Sequence, residues 1–99
     1  MSSGIVEFLT FAVAASDRED WIAADERVWT AFLRAQPGFV SKQVWTDRDD
    51  PDNVHAVITW SDEHAWKSIP ADDLARTDEE MGTWRRPLVM RAFDVARET

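Results

Sequence analysis

Four stretches of the chain combine β-branched and aromatic residues in the way that favours β-strands. They cover residues 5–13, 39–46, 54–60 and 88–95. Between the first two stretches, apolar residues recur at helical spacing from position 17 to about position 36. Pro37 and Gly38 follow directly, and this pair is typical of the end of a helix.

Local signals at the ends of the helices refine these boundaries. Ser16 and Glu19 have the spacing of a capping box, so Ser16 is expected to begin the first helix. Ser61 is expected to cap a short helical segment that ends at Trp66. Residues 71–81, which follow a proline and precede a glycine, are predicted to form the last helix.

The order of these elements predicts the fold. The turn-forming residues 47–53 join the second and third strands as a hairpin. The resulting order β-α-β-β-α-β is that of the ferredoxin-like arrangement, in which a four-stranded antiparallel sheet carries both helical regions on one face. We therefore predict an α+β protein with one domain over residues 1–99.

Apolar residues occupy both faces of the predicted strands. In the third strand, Val54, Ile58 and Trp60 alternate with Val57. The same alternation predicts that Ile5, Leu9, Phe11 and Val13 share one face against Val6, Phe8 and Ala12, and that Phe39 and Trp45 lie opposite Val40 and Val44. The helices can cover only one face, so we expect the other face to pack against a second copy in a homodimer.

Charge and composition exclude several partners and chemistries. The 99 residues carry a formal net charge of −8, which repels nucleic acid and anionic membranes. The absence of cysteine excludes disulfides, thiolate catalysis and cysteine-ligated zinc. No stretch is apolar for long enough to span a membrane, and the start of the chain lacks a signal-peptide pattern. We therefore expect a cytoplasmic protein.

Tryptophan is unusually abundant. The chain has 6 Trp and 5 Phe but no Tyr. A buried indole needs an acceptor for its N–H, which makes Trp costly to bury. Six Trp residues in a short chain therefore predict a large core, an interface or a pocket for a flat ligand.

Asp25 is the most informative polar residue. It lies within the apolar stripe of the first helix, four residues from Trp21 on one side and from Trp29 on the other. A carboxylate that faces the sheet is costly to bury without a partner. Two interpretations remain open: a structural acceptor for a Trp indole, Thr10 or an Arg, or an acid, base or ligand anchor in a pocket.

Other polar residues form no recognisable site. His55 alternates with apolar residues on the third strand and could line either face, whereas His64 lies on the short helix. Neither has metal-ligand spacing, and no nucleophile elbow or phosphate-binding glycine loop is present. The acidic turn at residues 47–52 is more typical of a solvated turn than of a calcium site. We predict no metal site.

Several segments resemble a small branch of the dimeric α+β barrel superfamily, which includes the antibiotic biosynthesis monooxygenases. The resemblance extends from about residue 6 to residue 95 and is carried by residues 8–11, 25–30, 37–45 and 65–70 together with Trp60. It implies a homodimer whose two sheets pack into a barrel, with a cavity between sheet and helices in each subunit. Relatives use that cavity for cofactor-free oxygenation of aromatic polyketides, haem breakdown or isomerisation of small ring compounds.

The catalytic residues of those relatives have few counterparts in this chain. Haem-degrading relatives use an Asn on the first strand with a Trp and a His in the second helical region. Here the only Asn is Asn53 in the hairpin turn, Trp66 could match the Trp, and no His lies near Thr77. The quinone-forming relatives use a Tyr, which this chain lacks. We therefore expect no haem turnover and no quinone formation by the residues that those relatives use. The resemblance to the cofactor-free relatives implies that no cofactor is needed.

Two functions follow as expectations. The first is a cofactor-independent, monooxygenase-like enzyme that acts on a small apolar or aromatic molecule, with Asp25 as the catalytic residue. Trp29, Trp60, Trp66 and His55 are the predicted ligand contacts. The alternative is a non-catalytic small-ligand-binding or interaction protein of the same fold.

Overall fold

The computed structural model describes residues 4–99 and has the predicted order of elements. Four strands form one antiparallel sheet in the order β2-β3-β1-β4: β1 (Ile5–Ala12), β2 (Phe39–Thr46), β3 (Asn53–Trp60) and β4 (Leu88–Asp94). Four α-helices accompany the sheet: α1 (Arg18–Asp25), α2 (Ala31–Arg34), α3 (Glu63–Lys67) and α4 (Ala71–Glu80). The predicted ferredoxin-like α+β fold is confirmed.

Strand β3 shows how the sheet is buried. Val54, Ala56, Ile58 and Trp60 are buried on the face that the helices cover, and the residues between them are only half-buried. The neighbouring strand β1 contributes Leu9 and Phe11 to the same inner face. The period of two therefore directs one set of side chains into the core and leaves the other set on the opposite, outer face.

The second strand departs from the predicted alternation. A β-bulge lies between Phe39 and Ser41, so Phe39 pairs with Trp60 whereas Ser41 pairs with Thr59. One extra residue reverses the alternation. Phe39 and Val44 consequently pack into the core, and Trp45 lies on the outer face. The prediction that Phe39 and Trp45 share a face was wrong for this reason.

The first predicted helix is continuous but not regular. A 3₁₀ turn (Ala15–Asp17) precedes α1, and a π-helical turn (Glu26–Thr30) joins α1 to α2. Ser16 lies inside the 3₁₀ turn and does not cap the helix; the Ala15 amide instead donates to Asp52 Oδ1 at 3.0 Å. The capping-box prediction was therefore wrong.

The remaining helical boundaries differ by small amounts. Asp62, and not Ser61, caps α3, because its carboxylate accepts from the Ala65 amide at 2.7 Å. A second 3₁₀ turn (Gly82–Trp84) connects α4 to β4. Within residues 4–99, every helix is too short or too polar to cross a membrane.

Gly38 is the position where the backbone most requires glycine. Its φ of +85° is in the left-handed region, and a Cβ there would overlap the Ala65 side chain and lie 3.0 Å from Ser61 Oγ. Gly82 also has a positive φ, +57°, but a Cβ there would meet open space. Alanine at Gly82 would therefore meet only the strain of a positive φ, whereas alanine at Gly38 would meet that strain and a steric overlap as well.

We expect Gly38→Ala to lower the free energy of unfolding by about 2–4 kcal/mol, because left-handed strain of about 1–2 kcal/mol adds to the overlap. Gly82→Ala, the matched control, should cost only about 1 kcal/mol. Urea unfolding followed by Trp fluorescence measures both. Equal losses in the two variants would contradict the predicted contact between Gly38 and Ala65.

Candidate functional site

A cavity of about 390 Å³ lies between the inner face of the sheet and the helices. Leu9, Phe11 and Ile58 line it from the sheet, and Trp21, Trp29 and Trp66 line it from the helices. This volume lies within the range of about 300–1,000 Å³ that small-molecule sites occupy. An apolar, aromatic cavity of this size suits a flat organic ligand.

One wall of the cavity contains a buried ion pair. Lys42 Nζ donates to Asp25 Oδ2 and to Thr30 Oγ1, each at 2.7 Å, and the Lys42 and Asp25 side chains are 4% and 2% exposed. Two of the three ammonium hydrogens are thus used within the protein. Lys42 and Asp25 both line the cavity, and Lys42 Nζ forms no third hydrogen bond with the described residues.

The π-helical turn explains how Asp25 and Thr30 reach the same ammonium group. In a regular α-helix, side chains five residues apart point about 140° away from each other. The wider π turn places residues five apart on one side of the helix. Asp25 directly precedes the Glu26–Thr30 turn, and Thr30 is its last residue. Their side chains therefore lie on the same side of the helix and both accept from Lys42 of β2.

The pKa of Asp25 reflects two opposing effects. Burial raises the pKa above its usual value, while the charge of Lys42 and the hydrogen bond from Lys42 lower it. Burial has the larger effect. Asp25 is thus an acceptor held in a defined position, and its partner is Lys42 rather than the Trp, Thr10 or Arg considered from the sequence.

A second carboxylate faces the cavity. Glu7 of β1 lies on the inner face and lines the cavity, and its Oε1 accepts the Trp60 indole N–H at 3.1 Å. Burial raises the pKa of Glu7, against the opposing effects of the Trp60 hydrogen bond, the Lys42 charge and Trp66. Within the described part of the chain Glu7 forms no ion pair. A desolvated carboxylate without a paired cation is suited to accept a proton from a ligand.

The structure brings together only some of the predicted site residues. Asp25, Trp29 and Trp66 line the cavity. Trp60 is fully buried behind the cavity wall and reaches the site through its hydrogen bond to Glu7.

His55 lies on the other face of the sheet, away from the cavity. Its ring nitrogens are 3.0 Å from Thr10 Oγ1 and 2.9 Å from Asp47 Oδ2, and its ring stacks on Phe8. The hydrogen bond from His55 lowers the pKa of Asp47. The register explains this position, because His55 pairs with Thr10 and Trp45 on the outer face.

Sequence reasoning missed Glu7 and Lys42 as site residues. Glu7 could have been found, because it occupies the same alternating positions as Leu9 and Phe11 and therefore points inward. The inward direction of Lys42 depends on the bulge in β2, which no sequence signal indicates. Among residues 4–99, no group of three or more His, Asp or Glu side chains could hold a metal ion.

Solved structures of several proteins share this fold. A monooxygenase from Streptomyces coelicolor, in complex with nanaomycin D, is 18% identical with a TM-score of 0.78, and the match covers 98% of this chain and 90% of that one. A cofactor-independent oxygenase from Streptomyces nogalater is 24% identical with a TM-score of 0.69 and coverages of 97% and 95%. A heme-degrading protein from Mycobacterium tuberculosis is 15% identical with a TM-score of 0.71 and coverages of 100% and 98%.

Sequence comparison identifies the family. No curated protein sequence matches the chain. The structural relatives above, at these identities, establish the fold alone. Residues 4–69, two thirds of the chain, match the antibiotic biosynthesis monooxygenase family. With the sequence resemblance thus confirmed, the chain belongs to the antibiotic biosynthesis monooxygenase family.

Proposed function

We propose that this protein is a cofactor-independent monooxygenase-like enzyme that oxygenates a small aromatic molecule in the cavity between sheet and helices. The observation that carries the proposal is the pairing of an apolar, Trp-lined cavity with two inward carboxylates, Glu7 and Asp25, and the Lys42 ammonium. Nanaomycin D bound to a monooxygenase of the same fold supports a flat ligand.

The proposed reaction converts a weakly acidic methylene group between aromatic rings into a carbonyl group. Glu7 removes one C–H proton and leaves a carbanion that the rings delocalise. O₂ accepts the electron pair and forms a carbon-bound peroxide anion, which takes the proton back from Glu7. The hydroperoxide then loses the second C–H hydrogen and its terminal OH as water, so one oxygen atom remains in the product.

The ion pair between Asp25 and Lys42 has a separate role in the proposed reaction. Asp25 and Thr30 hold Lys42 at the cavity wall. In the proposed reaction its third N–H donates into the cavity, where negative charge develops first on the substrate and then on the peroxide. A fixed donor in an apolar site stabilises such charge more strongly than water does. Asp25 thus serves the reaction as the carboxylate that fixes Lys42.

The alternative function is non-catalytic binding of the same class of ligand. One observation favours it: Asp25 is already neutralised by Lys42, which is also how a purely structural buried carboxylate is satisfied. Anthrone, a tricyclic ketone with a methylene between two rings, distinguishes the two functions. An enzyme consumes O₂ and forms anthraquinone, whereas a binding protein takes up anthrone without turnover.

We expect Glu7→Gln to abolish anthrone oxidation but to raise the free energy of unfolding at pH 7. The folded-state pKa of Glu7 lies above its ordinary value of 4.5, so ionisation of this group costs stability as pH rises through the folded pKa. Gln avoids that cost and still accepts from Trp60. This gain in stability should vanish near pH 4, where Glu7 is protonated in both the folded and the unfolded protein.

Wild-type oxidation of anthrone should rise with pH through the raised pKa of Glu7 and then level off, because the base must be ionised. Oxygen consumption from pH 4 to 8 and urea unfolding at both ends of that range test these points. A Glu7→Gln protein that oxidises anthrone at the wild-type rate would refute the role of Glu7.

We expect Asp25→Asn to lower the free energy of unfolding by about 3–5 kcal/mol, because it leaves the Lys42 ammonium buried without a counter-charge. The double variant Asp25→Asn/Lys42→Met removes both charges and should recover most of this stability. Neither variant should oxidise anthrone. Recovery of stability together with full turnover in the double variant would show that the ion pair is only structural.

We also propose that the protein is a homodimer that pairs through the outer face of the sheet. Phe8 lies at the centre of this face, with its ring 6.1 Å from the rings of Trp45 and Phe93 and 5.2 Å from that of His55. Trp45, Phe93 and Val89 are exposed large apolar residues. A contiguous apolar face on a chain this small is typical of an interface.

Light scattering should therefore give a mass twice the 11.4 kDa of the chain. We expect the interface between the two subunits to bury more than about 2,000 Å² in total. Phe93→Asp should produce monomers, because it places a charge in that interface. Leu88→Asp is the matched control, on the same strand but on the inner face, and should remain dimeric. A wild-type monomer at micromolar concentration would overturn the proposal.

A further inference from the structure

Trp60 is a fully buried tryptophan whose single polar atom contacts the proposed base. It is the last residue of β3, lies on the inner face behind the cavity wall and is 0% exposed. Its indole N–H donates to Glu7 Oε1 at 3.1 Å. Trp60 pairs with Ile5 and Glu7 pairs with Ile58, so Trp60 and Glu7 are diagonal neighbours on one face, a separation that long side chains can bridge.

Packing fixes the Trp60 ring, so the direction of its N–H is set before a ligand binds. The Phe39 ring meets the Trp60 ring edge-on, with ring centres 6.0 Å apart and planes at 87°. Leu33 and Ile58 belong to the same buried cluster as Trp60, and Trp29 packs against that cluster. Because protein interiors are close-packed, a ring enclosed in this way has little freedom to turn.

The hydrogen bond makes the two carboxylate oxygens of Glu7 different from each other. Oε1 accepts from Trp60, in the only hydrogen bond that the described residues donate to the Glu7 side chain. Among those residues, the fully buried side-chain polar atoms without a partner are Arg18 Nε and Trp21 Nε1, so Glu7 Oε2 is not fully buried. Because Glu7 lines the cavity, Oε2 is the oxygen that a bound molecule can reach.

Stability alone does not account for a carboxylate as the partner of Trp60. A neutral acceptor would satisfy a buried indole N–H at lower cost than a desolvated carboxylate. The fully buried Trp21 indole has no partner at all among the described residues, so the fold tolerates an unpaired indole. The contact is explained if Glu7 is the group that the cavity needs and Trp60 is the group that orients it.

We infer that Trp60 is the positioning residue of the proposed reaction: its indole N–H holds Oε1 of Glu7 and thereby directs Oε2 at the C–H bond of the ligand. The inference rests on the proposed function and adds to it a residue that does not itself touch the ligand. Such orientation matters to the rate, because a displacement of about 1 Å at a reacting group can cost about 100-fold.

The contact can be tested without a ligand, by following the Trp60 indole N–H in proton–nitrogen correlation spectra from pH 4 to 8. We expect this signal to shift as Glu7 ionises, because a hydrogen bond strengthens when its acceptor becomes charged. The shift should be lost in Glu7→Gln, since an amide does not ionise in this range. The Trp21 indole signal is the internal control and should not change with Glu7.

The variant Trp60→Phe tests the role of the contact in anthrone oxidation, because it removes the N–H and keeps an aromatic ring. We expect kcat on the high-pH plateau to fall at least about tenfold, because Oε2 is no longer held in place. KM should stay within about twofold of the wild-type value, since Trp60 lies behind the cavity wall. The pH midpoint of the rate should rise, because the Trp60 hydrogen bond lowers the pKa of Glu7.

Phe39→Leu is the matched control. It removes the edge-on partner of the Trp60 ring but keeps the indole N–H, so it should lower stability without moving the pH midpoint. A midpoint that moves equally in Phe39→Leu and Trp60→Phe would overturn the inference, because loss of packing alone would then explain the effect.

The remaining outcomes separate the inference from the proposed function. A Trp60 indole signal that does not change with pH, or that still titrates in Glu7→Gln, overturns the inference and leaves the proposed function intact. So does a Trp60→Phe protein with the wild-type plateau rate and midpoint. If Trp60→Phe does not fold, the spectra of wild-type and Glu7→Gln protein decide. If the indole titrates as expected but wild-type protein does not oxidise anthrone, the proposed function fails, and the positioning role fails with it.

Discussion

The buried ion pair between Asp25 and Lys42 is the contact on which the architecture of the site depends. Either charge alone in this position would cost several kcal/mol, so each requires the other. The pair joins the first helical segment to β2, which is an edge strand with a single neighbour in the sheet. The helix adopts a π turn at this point, and Thr30 gives the ammonium group its second hydrogen-bond partner. The position of the helix over the sheet, and with it one wall of the cavity, follows from this contact.

The unequal covering of the sheet accounts for the shape of the molecule. Helices cover the inner face over β3 and β1, where the core residues are fully buried, but all residues of β4 are exposed. Space therefore remains on the inner side next to β4, and the cavity opens there. The outer face has no covering within the described chain and carries an aromatic cluster centred on Phe8. One face thus carries the cavity that we propose as the ligand site, and the other an exposed aromatic surface that we propose as the dimer interface.

The distribution of charge in the cavity is better explained by function than by stability. An apolar side chain at Glu7 would avoid the cost of burying a carboxylate, and Glu7 gains no ion pair in return among the described residues. Proteins retain such costly groups mainly where chemistry or binding needs them. Glu7 and the Asp25–Lys42 pair line the cavity, and so do Trp66 and Trp84, against which Lys67 and Arg86 lie.

The sequence alone determined the order of the elements, the ferredoxin-like class and the family resemblance, because these depend on local periodicity, turn residues and short motifs. It also identified Asp25, since a carboxylate within an apolar helical stripe is visible without any tertiary contact. Tertiary structure alone decided the partner of Asp25. A bulge in β2 reversed the alternation and turned Lys42 inward, and a π turn brought Thr30 to the same side as Asp25. Both irregularities insert a residue into a regular pattern and are stabilised by contacts between segments far apart in the chain. For that reason no local pattern could have indicated them.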